Sequence, residues 1–482
     1  MPRVYRGEAA TLYNSHATLN WSQETDLPAT DNIPAPAAAR SAYIYWIAGV
    51  AATAGLLFGF DIAVINGALV FLRQQLHLTE FGTEIAASSL LLGCAAGAGI
   101  AGWLSDRFGR RRVLLLAAAL FGVSSLAAAL PRNLNEFVAA RLLAGLATGI
   151  ASVLAPLYIS ENAPAGIRGR LVTFDQLAIV AGILLSYVVN WSLAGLGPSS
   201  WRWMFAAAAV PAAGLGLALL FVPESARWLV KEGRRGEALA VLTQLQGAQQ
   251  AGRELAEIEQ AVREEAGSFW ELFSPGLRRP LGLALALAVL QQITGVNTVF
   301  YYGSLIFQDQ VKSSSSAALG LDVYIGLVNL LVTLVAIWVI DRLGRKPLLM
   351  LSSGGMAVCL LFLGLEFHAP KVSVLPVLLL MLAYVASFGI GLGPGVWVVL
   401  SELFPTRLRG RAMGLATVCL WLASLLLTLT FLSLVSALGP AGAFWIYAGL
   451  SLFTCWLVWR GLPETKARSL EQIEQFWKTR RR

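Results

Sequence analysis

Runs of apolar residues long enough to cross a bilayer recur along nearly the whole chain, and this limits its fold more than any other feature. About 30 Å of hydrocarbon needs about 20 helical residues. Twelve runs meet that length or come close to it, at 43–70, 85–104, 113–131, 136–158, 171–193, 203–222, 280–308, 321–340, 347–367, 374–399, 411–434 and 440–461. In lipid the backbone must satisfy its own hydrogen bonds, so continuous apolar runs of this length become helices. Charged residues make up only 13% of the 482, about half the share usual in a soluble chain. The expected fold is an all-α membrane protein with twelve transmembrane helices.

The net charge of +8 is set by topology rather than by a nucleic-acid partner. Twelve Lys or Arg sit in four alternate loops, "DRFGRRR" (106–112), "IRGR" (167–170), "DRLGRK" (341–346) and "RLRGR" (407–411), while the intervening loops carry isolated cations such as Arg73, Arg132 and Lys371. Basic loops stay cytoplasmic, which predicts a multi-pass protein of the cell membrane with both termini in the cytoplasm. Residues 1–42 lack the apolar core of a cleavable signal. The four cysteines, at 94, 359, 419 and 455, fall inside apolar runs and read as buried hydrophobes. "NWS" at 20–22 would be cytoplasmic and so not glycosylated.

Three signatures occur twice. "DRFGRR" (106–111) returns as "DRLGRK" (341–346), "ENAPAGIRGR" (161–170) as "ELFPTRLRGR" (402–411), and "PESARWL" (223–229) as "PETKARSL" (463–470), at offsets of 235, 241 and 240 residues. Matched pairs at one spacing indicate a duplicated six-helix unit. The expected organisation is a cytoplasmic tail (1–42), one half (43–222), a polar linker (223–279), a second half (280–461) and a C-terminal tail (462–482). Within the linker, "EALAVLTQLQ" and "RELAEIEQAVREE" have helical spacing and predict short amphipathic helices on the cytoplasmic face.

Repetition gives the loop charges a role. Asp106 and Asp341 can pair with Arg110 and Arg345 around tight turns at Gly109 and Gly344, while Glu161 and Glu402 stand ahead of Arg168 and Arg409. Ion pairs among these eight residues would latch the cytoplasmic side and form its gate. In the seventh run, "QQITGVNTVFYY" (291–302) places Gln291, Gln292 and Asn297 where amides are costly in lipid and should face a cavity. Thr294 and Gly295 lie between them, where an unwound helix would let all three converge, with Tyr301 one turn beyond Asn297. Paired donors and acceptors suit the adjacent hydroxyls of a sugar. Gln176, Asn329, Trp397 and Trp421 would complete the pocket.

Asp61 is the only charged residue between Arg40 and Arg73, and a carboxylate at that depth costs about 2.5–3.5 kcal/mol on insertion scales. It therefore asks for a function. "GAGIAG" at 97–102 fits a dinucleotide pattern but lies in an apolar helix with no strand before it, so close helix packing is the expected role. Three scattered histidines form no metal site, and no nucleophile elbow or phosphate loop is present. No catalysis, cofactor or metal is expected.

"GWLSDRFGRRR", "PESARWL", "QQITGVN", "WVIDRLGRKP", "SELFPTRLRGR" and "PETKARSLEQIE", in this order from about residue 43 to 477, resemble the sugar porter family of the major facilitator superfamily. The resemblance implies two six-helix halves, alternating access and a monosaccharide substrate. It places sugar contacts at Gln176, Gln291, Gln292, Asn297, Asn329 and Trp397. Leu420 stands where a pentose-carrying bacterial member has an amide, which shifts the expected substrate towards a hexose such as glucose. Asp61 matches an acid of proton-linked members that is Asn in many animal facilitative transporters, and Arg141 matches its partner. The topology puts both at similar depth. The resemblance thus implies a proton-coupled symporter, complete in one chain and active as a monomer in the lipid bilayer. A facilitative sugar or polyol uniporter and a transporter-like sensor are the alternatives.

Overall fold

The computed structural model of the chain describes residues 37–164, 166–264, 269–274, 276–404 and 406–464. Most of both expected tails, including the "NWS" triplet, lies outside the described residues. Every regular element among them is helical.

The first half comprises α1 (Ala37–Gln75), α2 (Glu80–Phe108), α3 (Arg110–Ala129), α4 (Leu134–Asn162), α5 (Arg168–Leu193) and a sixth span in two pieces, α6 (Ser200–Ala207) and α7 (Ala209–Leu219). Between the halves are α8 (Ala226–Lys231), α9 (Arg235–Gln246) and α10 (Ala248–Glu264). The second half comprises α11 (Arg278–Ile293), α12 (Val296–Asp309), α13 (Ser315–Leu343), α14 (Arg345–His368), α15 (Val374–Ile390), α16 (Leu392–Glu402) and α17 (Thr406–Gly461).

Eleven helical stretches are long and apolar enough to cross a membrane, and the last runs from Leu408 to Gly461. At about 1.5 Å per residue that stretch would far exceed the hydrocarbon thickness. Gly439, at φ 73°, breaks it just before Pro440, so it supplies the eleventh and twelfth spans. The helices overrun the apolar stretches read from sequence because capped ends project beyond them. Thr79, Asn133 and Ser314 cap α2, α4 and α13, accepting from the backbone N–H groups of Gly82, Glu136 and Ala317. All three caps lie at the end opposite the basic loops.

Within each half, helices pack where side chains are small. A Cβ on Gly97 would lie 2.4 Å from Leu146 O, and one on Gly145 would lie 2.0 Å from Leu90 O, so α2 and α4 touch backbone to backbone. The "GAGIAG" run therefore packs through its first glycine, while Gly99 and Gly102 have open space or distant neighbours. The linker helices do more than lie on a surface. Trp228 and Leu229 of α8, Ala238 and Leu242 of α9, and Ala251 and Leu255 of α10 form a small core of their own. All four cysteines are free thiols.

Candidate functional site

The seventh span breaks where its amides sit. Gly295 takes a left-handed φ of 97° between α11 and α12, a conformation open to glycine at little cost. A Cβ there would also meet the ring of Tyr447 at 2.7 Å. The break turns Gln292 and Asn297 towards each other, and Asn297 Nδ2 donates to Gln292 Oε1. Gln292 Nε2 donates to Gln291 Oε1 at 3.3 Å, and Gln291 Nε2 donates to the carbonyls of Leu392 and Gly393 at 2.8 and 3.0 Å. Those carbonyls belong to the first turn of α16, which starts after a break in the tenth span at Gly391. Asn297 further donates to Ser424 Oγ of α17 at 2.8 Å.

Two polar groups beside this chain of amides are buried without partners: the Tyr301 hydroxyl and Trp421 Nε1. Trp421 meets Phe58 of α1 edge to face at 5.4 Å, so the first half forms the opposite wall. Buried polar atoms left unpaired are costly, and here they border amides that can both donate and accept. Such a cluster can take several hydroxyl groups of one ligand. Gln176 on α5 and Trp397 on α16 are half-buried, and Asn329 on α13 is buried with Oδ1 facing Gly389. No hydrogen bond ties these three to the amide chain among the described residues.

In the first half, Arg141 of α4 reaches Asp61 of α1. Arg141 Nη1 donates to Asp61 Oδ1, and Nη2 donates to the Asp61 carbonyl at 3.0 Å. Both residues are buried, Arg141 completely. Thr148 Oγ1 donates to Asp61 Oδ2 at 3.4 Å, and the guanidinium lies 5.2 Å from the centre of the Phe205 ring. A buried pair of this kind draws its favourable energy from close geometry, and removing one partner strands the other charge. α1 packs on α12, where Ser304 N donates to Asn66 Oδ1, which brings the charged pair and the amide chain into one neighbourhood.

The basic-loop motifs form two similar networks. Arg110 pairs with Asp106 at 3.1 Å and Glu161 at 2.9 Å. Glu161 also accepts from Ser225 Oγ at 2.5 Å, and Asp106 from Lys231 at 3.0 Å. In the second half Arg345 pairs with Glu402 at 3.0 Å. Arg168 turns back to donate to Ala163 O at 3.3 Å, and Arg409 Nε is buried without a partner. The Asp341 side chain lies outside the described residues.

Glu224 and Glu464 take part as well. Glu224 accepts from the backbone N–H groups of Arg110 and Arg111 at 2.9 and 3.1 Å, and Glu464 accepts from those of Arg345 and Lys346 at 3.0 Å each. Each carboxylate thus caps the helix that follows the Gly turn, and both belong to the third repeated motif. Their matched spacing is the signal that could have singled them out. Ser424 and Thr148 are further partners missed from sequence. Each lies on the face of a residue already chosen, three after Trp421 and seven after Arg141.

Polar contacts between the halves gather at the end opposite the basic loops. Arg73 forms a two-pronged pair with Asp309, at 2.8 and 3.1 Å. Glu84 accepts from Ser433 N and Oγ at 2.7 Å each, Ser304 N donates to Asn66 Oδ1 at 2.8 Å, and Tyr187 donates to Phe300 O at 3.2 Å. Twelve spans, broken helices around buried amides and an internal ion pair describe a transporter, and comparison with known proteins gives its family. The "Sugar (and other) transporter" family model matches residues 47–477.

The chain belongs to this sugar transporter family. It is 38% identical over 453 residues to the arabinose-proton symporter of Bacillus subtilis, covering 92% of this chain and 97% of that one. It is 36% identical over 478 residues to the D-xylose-proton symporter of Escherichia coli, covering 91% and 96%. A solved structure of the proton:xylose symporter XylE bound to 6-bromo-6-deoxy-D-glucose superposes with a TM-score of 0.79 at 35% identity, over 91% of this chain and all of that one. Family membership accords with the major facilitator fold of two six-helix halves.

Proposed function

We propose that this chain is a proton-coupled monosaccharide symporter of the cell membrane that works by alternating access. The carrying observation is the buried Asp61–Arg141 pair, with α1 packed against the broken seventh span and its amide chain. Gln291, Gln292, Asn297, Tyr301 and Trp421 bind the sugar, with Gln176, Asn329 and Trp397 closing around it. Asp61 carries the proton. Arg141 is its ion-pair partner, and neutralising one member of a buried pair leaves the other charge uncompensated. Protonation frees Arg141, and the loosened pair permits the closing motion, so proton and sugar share one conformational equilibrium.

The basic loops and both termini face the cytoplasm, by the bias of Lys and Arg. The end closed by Arg73–Asp309 then faces outwards. The two basic networks form the cytoplasmic gate, each holding the loop bundle of one half. One chain contains the whole pathway and acts as a monomer. No residue here performs catalysis. The substrate is a hexose such as glucose, because Leu420 supplies no amide to the pocket. Labelled uptake into proteoliposomes, with and without a proton gradient, tests this reading across a panel of hexoses, pentoses and polyols. Accumulation against the sugar gradient only when protons flow inwards is expected. Equilibration without accumulation would make the protein a uniporter.

A further inference from the structure

Besides Asp61, the described residues bury the carboxyls of Glu84, Asp175 and Asp322, and Asp322 has no cation beside it. Asp322 lies on α13, seven residues from its start at Ser315, hence ~10 Å along the helix. It is 1% exposed. Ser304 of α12 donates to its Oδ2, while Oδ1 has no hydrogen-bond partner. Oδ1 flanks Gly303 together with Asn66 Nδ2 of α1, which is also unpartnered.

The surroundings offer no countercharge. From α5 come Tyr187, which donates to Phe300 O, and Asn190, which donates to Val64 O. Arg73 and Asp309 are the charges beyond Asn66 and Ser304, and they pair with each other. Tyr384, the titratable side chain of α15, donates to Thr294 O. At the same end of α14, Glu366 accepts from Ser373 N and His368 packs on Trp445. An ionised carboxylate has about four lone-pair sites to satisfy, and here the donors at hand are the Ser304 hydroxyl and the neighbouring Asn66 amide, both neutral. Burying such an ion without a cation is unfavourable. The neutral acid asks for less.

Asn66 and Tyr187 belong to the first half, Ser304 and Asp322 to the second. Parting the halves at this end removes the cover and admits water, in which the carboxylate is stable. We propose that Asp322 is a second proton-binding site, distinct from Asp61. It takes up a proton from the water as this end of the molecule closes, and returns it to the same side when the end opens. No proton crosses the membrane by this route. The closed state holds one proton more than the open state, so closure is favoured at low pH and lost as pH rises. The proposal rests on the alternating-access reading but not on sugar coupling.

Spin labels at Gln74→Cys and Lys312→Cys, with the native cysteines replaced, report the distance across this end. In an Asp61→Asn background, the open fraction should climb with pH, by up to about tenfold per unit within the titrating window. Adding Asp322→Asn, which keeps the shape of the neutral acid, should leave it flat. Equal slopes in the two proteins, or a response to sodium at constant pH in place of one to protons, would overturn the proposal. A distance that never changes in the unsubstituted chain, with or without sugar, would overturn alternating access as well. Infrared spectra give a second reading that needs no motion: the closed Asp61→Asn protein should show protonated-carboxyl absorption from which Asp322→Asn removes one component, leaving any from Asp175 in place. Identical spectra would refute the assignment.

Discussion

The two halves descend from one pattern and do opposite things with it. Shifted by the 235-residue offset of the basic-loop repeat, Asp61 falls one residue short of Asn297. In the first half this position holds a carboxylate on α1, which runs unbroken from Ala37 to Gln75. In the second it holds an amide just past a left-handed glycine. Arg141, shifted by the 241-residue offset, falls on Leu382. Charge is therefore paired and enclosed on continuous helices of one half, whereas unpaired hydroxyl and indole groups gather at broken helices of the other. One half holds the buried ion pair, and the other suits a neutral polyhydroxyl ligand.

The largest effect expected from breaking this contrast is at Arg141. Arg141→Ala strands a buried carboxylate and should cost about 3–5 kcal/mol of stability. Asp61→Asn in the same chain should recover much of that loss. Thermal unfolding of the single and double variants checks it, and additive losses would mean that the two residues are not coupled. Next comes the amide chain: Gln292→Ala or Asn297→Ala should weaken sugar binding by about 1–3 kcal/mol. Stability should change less than affinity, as equilibrium binding and melting measured together will show.

Gly295→Ala sharpens the comparison from the backbone side. It forces a side chain into a left-handed conformation and against Tyr447, at a cost of order 1–3 kcal/mol. A glycine-to-alanine change in unbroken α1 at Gly49, where a Cβ meets nothing within 4 Å, should cost little or favour the helix slightly. Melting temperatures of the pair decide the point. The smallest effect should come from the partly exposed pair of the second basic network, Arg345–Glu402, for which Glu402→Gln should cost about 1 kcal/mol or less. Its readout is a shift towards a more accessible cytoplasmic vestibule, measured by labelling an engineered cysteine there.

Sequence reasoning reached Asp61 because it is a lone charge deep in an apolar run, and reached the break in the seventh span because Thr294 and Gly295 separate its amides. The spans themselves were legible from length and hydropathy, though not their ends, which depend on caps. Asp322 is as solitary as Asp61 but stands at the start of its apolar run, where an acid reads as an interfacial residue. Only the helix beginning at Ser315, packed beneath α1 and α5, puts it in the interior. The break at Gly391 also escaped notice. The contact beside it, from Gln291 Nε2 to the Leu392 carbonyl, joins residues 101 apart in sequence.

Asp61→Asn tests the division of labour most directly, through sugar and proton fluxes measured together in the same proteoliposomes. The account predicts that this variant binds sugar with nearly unchanged affinity and still exchanges labelled for unlabelled sugar. It should neither concentrate sugar under a proton gradient nor take up protons when sugar is added. A variant that still concentrates sugar, with protons entering alongside it, would contradict the account and place the coupling site outside the Asp61–Arg141 pair.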